Sequence, residues 1–367
     1  MGKFKKIFRR LPDPRAGNAR HDLLEVLVLA LTAVLCGAES CADMEEFGRA
    51  KEGLLRQILR LEHGVPSHDT FSRVFRLLDP QEFERAFRRF VTAFAAGNGL
   101  KLTGVIAVDG KALRGAYERG CSATPLHMVN VFATEARIAL ASRKAPGRNE
   151  AAGAVEVLGM LCLEDCVVTA DALHCHRRFA ATVLQRGGHY VLALKENQSK
   201  LFAAVVRRFA RSSARSSARR LELSTHDRRE RRRATVIRDP LLATAGKFPG
   251  IRALARVTSY RRPHGRRADK PLVRYFLLSK YIPARKLLRV VRGHWSIENQ
   301  LHWLLDVVLD EDANRARKDN APENLAILRR LAINVIRAHP AKTSMRRKIK
   351  RAGWDDAFLL SMLAHMR

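Results

Sequence analysis

The sequence of 367 residues has little of what defines several common protein classes. Aromatic residues make up only 7% of it, and 36 acidic residues stand against 68 Lys and Arg. A membrane span requires roughly 20 consecutive apolar residues, but Glu25 interrupts the most apolar run, which extends from Leu23 to Ala38. Met1 is followed by a basic run, which lacks the apolar segment that a signal peptide would have. We therefore expect a cytoplasmic protein without a membrane partner.

Cysteines are too few and too irregularly spaced for a disulfide framework. The six cysteines form no CxxC pair, which is typical of a protein from a reducing compartment. One alternative is a zinc site that uses Cys162, Cys166, His174, Cys175 and His176, but Cys162 is predicted to end a helix and Cys166 to open a buried strand. The pattern favours ordinary buried or half-buried side chains.

A surplus of basic residues is the strongest feature of the composition. The formal net charge is +32. Such a charge favours a polyanionic partner, because Lys and Arg that neutralise phosphates release condensed counterions. A basic soluble surface and an anionic membrane are the alternatives. Residues 207–233 contain eleven arginines and three acidic residues, including the repeat SSARSSAR, and this composition predicts a mobile arm or an exposed basic loop.

The first hundred residues have helical periodicity. In VPSHDTFSRVFRLLD, Ser67 follows Pro66 and is a good N-cap for a helix with Phe71, Val74 and Phe75 on one face. Exposed Arg73 and Arg76 would suit a helix-turn-helix that reads DNA, whereas a packed helical bundle with solvated arginines explains the pattern equally well.

Beyond Leu102, short apolar runs alternate with helical segments. The order is three strands, helix, strand, helix, strand, which predicts an α/β layer with a mixed sheet that contains residues 105–109, 166–170 and 189–194. Later strand-like runs are strongly basic. The chain is therefore divided as follows: 1–98, a helical region that binds DNA; 99–195, the first part of the α/β domain; 196–285, a basic β-rich insertion; 286–340, a last helical region; and 341–367, a basic C-terminal tail with a final helix.

Two aspartates each end one of the predicted buried strands. Because ligands of α/β sheets gather outside the carboxyl ends of the strands, Asp109 and Asp171 could share one crevice. Close carboxylates repel each other unless a cation lies between them, and Mg²⁺ is the hard cation that such oxygens prefer. Taken singly, however, an aspartate at a strand end is more often a turn former or a helix cap.

A third carboxylate is predicted from the helical pattern near residue 300. Glu298 falls between an apolar stripe and a polar face, a position from which it could lean into the crevice. A solvated glutamate is the alternative, and His302, one turn later, is predicted to be structural. The stripe is Ile297, Leu301, Leu304 and Val308, and the rival carboxylates are Asp306, Asp310, Glu311 and Asp312.

Three carboxylates that hold two Mg²⁺ ions suggest a specific chemistry. One ion activates water or a 3′-hydroxyl and the other stabilises the leaving oxygen in an in-line displacement at phosphorus. The basic surface would bind the DNA that carries the scissile phosphate. Lys111 and Arg114, just after Asp109, could bind a phosphate or simply flank a turn.

Several long blocks of the sequence resemble insertion-sequence transposases of the DDE type, in the group of H-repeat-associated proteins. They include VPSHDTFSRVFRLLDP, VDGKALRG, GGHYVLALKENQ and RGHWSIENQLHWLLDVVLDEDANRARKDNAPENLAILRRLAIN. The resemblance covers nearly the whole chain. It implies an RNase H-like catalytic domain, a β-rich insertion before the last catalytic helix, and a catalytic and metal-binding triad of Asp109, Asp171 and Glu298.

Some positions depart from the wider pattern. Related transposases carry Tyr, Arg and Lys at fixed offsets around the glutamate, where this sequence has Val291, His294 and Leu305. His174 and His176 also differ from the pattern. Residues that could contact DNA are therefore expected at several other basic positions: Arg73, Lys111, Arg114, Arg292, His294, Arg315, Arg317 and Lys318.

The resemblance implies a Mg²⁺-dependent transposase that cleaves and joins DNA at the ends of a bacterial insertion sequence. Two ions are expected, with Mn²⁺ as the alternative metal and no small-molecule cofactor. Its partners would be duplex DNA, the terminal repeats of the element and target DNA, bound as a homo-oligomer close to the nucleoid. Two alternatives stay open: an inactive or domesticated DNA-binding relative, and a metal-dependent nuclease that cuts without joining.

Overall fold

Helices dominate the first hundred residues, as the periodicity predicts. The computed structural model describes residues 1–15, 17, 19–117, 125–211, 216–224, 228–238, 248–263 and 270–366. Ser67 caps the fifth helix by accepting a hydrogen bond from the backbone N–H of Thr70, so this helix begins where the sequence predicts. No helix in these ranges is both long and apolar enough to span a membrane. The helices are α1 (Gly2–Phe8), α2 (Leu23–Leu35), α3 (Cys41–Ala50), α4 (Glu52–Leu55), α5 (His68–Leu77) and α6 (Pro80–Gly97).

The described strands form one mixed sheet of nine strands, in the order β3-β2-β1-β4-β5-β9-β8-β7-β6. β1, β2 and β3 are antiparallel neighbours, whereas β1, β4 and β5 are parallel. The remaining strands extend the sheet from β5 as an antiparallel ladder. The strands are β1 (Gly104–Tyr117), β2 (Pro125–Ala133), β3 (Ile138–Lys144), β4 (Cys166–Ala170), β5 (His189–Leu194), β6 (Ser216–Ser224), β7 (Arg228–Arg238), β8 (Ala253–Pro263) and β9 (Leu272–Leu278).

Helices cover both faces of this sheet. α7 (Glu150–Gly159) links β3 to β4, α8 (Arg177–Gln185) links the parallel neighbours β4 and β5, and α9 (Ser199–Ala210) follows β5. The arrangement confirms the predicted RNase H-like α/β class, with a helical N-terminal region and a set of basic strands before the segment that carries Glu298.

Two predictions about this sheet are wrong in detail. The strand that contains Asp109 does not stop there, because β2 continues to pair with β1 up to Tyr117 after β4 has ended. The arginine-rich segment is not a loop over its described residues, since β6 and β7 form an antiparallel pair. Backbone hydrogen bonds to neighbouring strands outweigh a composition that would be disordered in isolation.

The single helix predicted around Glu298 is broken into several pieces. α10 (Ala284–His294) is followed by a turn, a π-helical turn at Glu298–His302, and the short helix α11 (Trp303–Val307). Of the predicted stripe, Ile297, Leu301 and Leu304 are buried, and Leu305 joins them because the π turn inserts one residue and rotates the later positions.

The C-terminal helices tie the sheet to the N-terminal region. α12 (Ala321–Ala338) is buried along most of its length and packs against β3 and against α2, α5 and α6. The predicted tail contains two helices, α13 (Met345–Trp354) and α14 (Asp356–Ala364), which contact α12. One continuous core therefore joins the helical region to the sheet.

Candidate functional site

Asp109 and Asp171 lie side by side where two parallel strands part. The last pair in the ladder between β1 and β4 is Val108 with Ala170, and each aspartate is the next residue of its strand. Asp171 caps a short 3₁₀ turn by accepting hydrogen bonds from the backbone N–H groups of Leu173 and His174. The register of the sheet, rather than either residue alone, brings the two carboxylates to one edge.

Asp109 is largely buried beside other negative charges. Burial, together with the charges of Asp171 and Glu298, raises the pKa of its carboxyl from the ordinary 3.8 to about 7, although a hydrogen bond from the backbone N–H of Gly110 opposes the rise. Without a cation, the two aspartates and Glu298 therefore repel one another. Such a cluster is typical of an acidic site that binds a cation.

Glu298 is exposed and points into a cleft of about 860 Å³. Asp171 also lines this cleft, so both carboxylates face the same space. The pKa of Glu298 is raised, chiefly by burial. The charge of Arg274 opposes this rise, and the charge of Asp171 adds to it. Arg274 itself lies over the Trp295 ring at 5.2 Å from its centroid.

His294 lies in the same cleft rather than on an outer surface. Its Nδ1 is 3.4 Å from the Thr169 hydroxyl on β4, and burial lowers the pKa of its imidazole to about 4. This histidine is therefore neutral at pH 7. It stands where related transposases carry an arginine, so it does not supply the positive charge that the family pattern has there.

Lys111 is buried among carboxylates, and a role for it in binding phosphate stays a prediction. Its Nζ lies 2.6 Å from Asp306 Oδ1, 2.8 Å from Asp312 Oδ1 and 3.7 Å from Glu311 Oε2. Asp306, Glu311 and Asp312 are three of the rival third carboxylates, and Lys111 lies within ion-pair distance of all three. The cluster fastens the segment that follows Glu298 to β1.

The segment that follows Glu298 also contacts the backbone of β1 further along the strand, at Gly115. A Cβ at Gly115 would lie 2.4 Å from the carbonyl oxygen of Asn314 and 2.6 Å from that of Asp312. Glycine is required here because no side chain fits between the strand and these carbonyl groups.

A fourth carboxylate, which the sequence did not indicate, lies behind Asp109. The Glu150 carboxylate fills the space that a side chain at Gly110 would occupy, since an ideal Cβ there would lie 2.2 to 2.4 Å from it. His127 Nδ1 is 2.6 Å from Glu150 Oε1 and holds it. The Gly110 of the VDGK motif is thus explained by packing against an acidic side chain at the start of α7.

His302 also lies beside Asp109, with its Nδ1 at 3.7 Å from Asp109 Oδ2. The sequence indicated this only through the spacing of His302, which lies one helical turn after Glu298; in the structure both belong to the π turn. His174 is fully buried, and its Nε2 lies 3.9 Å from Asp171 Oδ1. Histidines therefore flank both aspartates.

The other residues predicted to contact DNA lie on the surface. Arg317 donates a hydrogen bond to the Gly115 carbonyl, and Arg114 Nε lies 3.4 Å from Asp312 Oδ2 although the Arg114 side chain is 81% exposed. The exposed members of the set are Arg73, Arg114, Arg292, Arg315, Arg317 and Lys318.

One face of the outer strands forms a groove of about 300 Å³ that combines arginines with aromatic rings. Arg233 pairs with Thr258 across β7 and β8, and Arg256 pairs with Tyr275 across β8 and β9. Val273 and Tyr275 line both this groove and the cleft that holds Asp171 and Glu298. We call this surface the basic groove; its lining is Arg233, Thr235, Arg256, Thr258, Tyr260, Pro271, Val273 and Tyr275.

The donor atoms of the acidic site fit a hard divalent cation. Carboxylate oxygens are the ligands that Mg²⁺ and Mn²⁺ prefer, and the repulsion on Asp109 is of the kind that a bound cation reverses. Within the described ranges, no three His, Cys, Asp or Glu side chains lie close enough together to hold a metal ion. As they stand, Asp109, Asp171 and Glu298 are not close enough together to share one ion.

Most of the chain matches two known protein families. Residues 101–335 match the family described as transposase DDE domain, and residues 5–91 match the family described as DDE_Tnp_1-associated. The Escherichia coli K12 protein YbfL is 32% identical, and the same strain's "H repeat-associated putative transposase YhhI" is 31% identical; each match covers 99% of this chain and 98% of the relative.

A solved structure of the piggyBac transposase synaptic complex with hairpin DNA matches with a TM-score of 0.45 and 14% identity, over 98% of this chain and 77% of that one. The family match alone spans well over half of the sequence, including Asp109, Asp171 and Glu298. The chain belongs to the DDE transposase family.

Proposed function

We propose that this protein is a divalent-metal-dependent DNA transposase, which cleaves phosphodiester bonds at the ends of an insertion sequence and joins them to target DNA. Asp109, Asp171 and Glu298 hold the metal. The observation that carries this proposal is the pairing of β1 with β4, which sets Asp109 and Asp171 side by side, while Asp171 lines one cleft together with Glu298.

The three carboxylates bind and orient the metal, and the protein around them fixes their directions. When bound, Mg²⁺ or Mn²⁺, expected as a pair of ions, activates water or a 3′-hydroxyl and stabilises the leaving oxygen. Asp171 is held by two backbone N–H groups, whereas Glu298 sits on a π turn, a helix irregularity common at functional sites. Apolar side chains line much of the cleft and limit water near the reacting phosphate.

DNA binding is assigned to the basic groove and the exposed basic residues. The groove opens beside the cleft, so a strand lying along its arginines reaches the carboxylates. Contacts of this kind act on the phosphate backbone and position the duplex without reading its sequence. Terminal repeats and target DNA are the proposed substrates, bound by a homo-oligomer of this chain.

Glu298→Gln tests the proposal because it keeps the shape of the side chain and removes its charge. Cleavage of DNA that carries the element ends should fall by at least about 10²-fold, the loss expected when leaving-group stabilisation is removed. Asp109→Asn and Asp171→Asn should behave alike, and double variants should be little worse, since the three act as one unit. Binding to the same DNA should survive.

Asp310→Asn is the matched control. Asp310 is exposed on the same segment, and its left-handed backbone, with φ 46°, accepts asparagine readily. Asp306 is unsuitable because it contacts Lys111. Wild-type protein that cuts but never joins ends to target DNA would indicate the nuclease. Binding without any cleavage in Mg²⁺ or Mn²⁺ would indicate the inactive relative, and either result would overturn the proposed activity.

A further inference from the structure

Asn130 lies directly opposite Asp109 in the ladder between β1 and β2, and it is fully buried. Its Oδ1 accepts two hydrogen bonds, from the Ser142 hydroxyl at 2.9 Å and from Arg330 Nε at 2.7 Å. Because two donors occupy this oxygen, the amide cannot rotate by 180° without losing both bonds. Its Nδ2 therefore points towards His302.

Contacts other than the one to Asn130 also hold the Arg330 side chain in place. It is fully buried on α12, and its guanidinium forms a two-pronged ion pair with Glu311. Its Nη1 also donates a hydrogen bond to the Ala326 carbonyl at 2.8 Å. Removing Glu311 would leave the buried charge of Arg330 uncompensated, so the ion pair holds the arginine in one orientation.

The direction of the amide determines which nitrogen of His302 carries the proton. Asn130 Nδ2 lies 3.3 Å from His302 Nε2 and can only donate, so Nε2 must accept. A neutral imidazole then carries its hydrogen on Nδ1.

The hydrogen on Nδ1 faces one specific oxygen of Asp109. Nδ1 lies 3.7 Å from Asp109 Oδ2, while Asp109 Oδ1 accepts a hydrogen bond from the Gly110 N–H at 3.0 Å. A closer approach of about 0.5 Å brings Nδ1 within hydrogen-bond range. Each carboxylate oxygen then has its own donor, and the rotation of the carboxylate about its last bond is fixed.

We propose that His302 is a positioning residue that orients the Asp109 carboxylate for metal binding, and that Arg330 and Asn130 hold it in the Nδ1–H tautomer. This rests on the proposed function for the role of Asp109, but the tautomer does not depend on it. The π turn carries both Glu298 and His302, so one irregular turn presents a carboxylate to the cleft and a donor to the strand.

Two substitutions of His302 separate positioning from simple packing. In His302→Asn the side-chain amide nitrogen occupies the place of Nδ1 and can still donate to Asp109, whereas in His302→Gln the amide reaches the place of Nε2. Titration calorimetry with Mn²⁺ alone should give His302→Asn an affinity within about 3-fold of wild type. His302→Gln should lose about 10- to 100-fold, the usual effect of removing a group that orients a metal ligand.

The tautomer is measured directly by ¹⁵N NMR on histidine-labelled, metal-free protein. His302 should show a protonated Nδ1 and an unprotonated Nε2. In Asn130→Asp the carboxylate still accepts from Arg330 and Ser142 but cannot donate, so the proton should move to Nε2. A thermal melt and a DNA-binding assay establish that each variant is folded.

Several outcomes decide against the proposal. An unprotonated Nδ1 in the wild-type spectrum would overturn the tautomer, and equal Mn²⁺ affinities for His302→Asn and His302→Gln would overturn the positioning role. If wild-type protein binds no Mn²⁺, the proposed function and the positioning role both fail, whereas the NMR result still decides the tautomer. If His302→Gln loses cleavage but binds Mn²⁺ with wild-type affinity, His302 acts in a step other than metal binding, and the positioning role is overturned.

Discussion

Asp109→Asn should stabilise the metal-free protein, although it removes a catalytic carboxylate. The native state raises the pKa of Asp109 from 3.8 to about 7. Between these values the folded protein holds a proton that the unfolded chain has released, so the free energy of unfolding falls as pH rises through this window. Above pH 7 the full cost of burying the charge beside Asp171 and Glu298 is present.

The size of the effect follows from the shift. A rise of about 3 pKa units corresponds to about 4 kcal/mol at 1.36 kcal/mol per unit, an upper limit because the Asp109 side chain keeps some contact with water. Asparagine has a similar shape and can still accept the Gly110 hydrogen bond. We expect Asp109→Asn to be more stable than wild type by up to about 4 kcal/mol at pH 8, and by less than half of that at pH 5.

Urea unfolding followed by circular dichroism in EDTA measures this difference, with Asp310→Asn as the control that should change little. Adding MgCl₂ should stabilise wild type, because ligand binding to the folded state shifts unfolding by mass action, and should stabilise Asp109→Asn much less. If Asp109→Asn is no more stable than wild type in EDTA at pH 8, the carboxylates do not repel one another as argued.

Three further predictions concern the supports of the site and the DNA surface. Lys111→Met should lower the free energy of unfolding by about 2–4 kcal/mol, because it removes the buried cation shared by two half-buried carboxylates and Glu311. Arg114→Gln, an exposed partner of the same cluster, should cost less than about 1 kcal/mol. Similar losses for the two variants in urea unfolding would contradict this. Gly115→Ala should destabilise by about 1–3 kcal/mol, because its methyl group meets two backbone carbonyls, while Gly159→Ala, with no neighbour within 4 Å, should be neutral or stabilising. DNA affinity measured by fluorescence anisotropy should fall steeply with salt, and Arg233→Gln should reduce the slope of log affinity against log salt by about 1; an unchanged slope would remove Arg233 from the interface.

The local pattern of the sequence was enough to predict the strands β1 to β5. The strands at 105–109, 166–170 and 189–194 are adjacent in one sheet, and the hairpin from β2 to β3 turns where predicted. Burial on both faces demands continuous apolar runs, and such runs are visible without any knowledge of the neighbours. The same alternation of strands and helices was sufficient for the fold class.

Pairing between distant segments decided what those local patterns left open. Nothing near Asp109 indicates that β2 carries β1 past it, and nothing near Arg228 indicates that its basic stretch pairs with β8. An isolated strand has no hydrogen-bond partners for its backbone, so whether it extends or stops depends on which strand lies beside it.

The roles of the charged side chains depended on tertiary structure even more strongly. Lys111 and Arg114 are three residues apart and equally basic, yet one is buried among carboxylates and the other is exposed. Glu150 reaches the site only because Gly110 leaves room for it, and His302 only because a π turn rotates it towards the sheet. The interaction of a charge with its surroundings depends on distance and burial, and both are set by residues far away in the sequence.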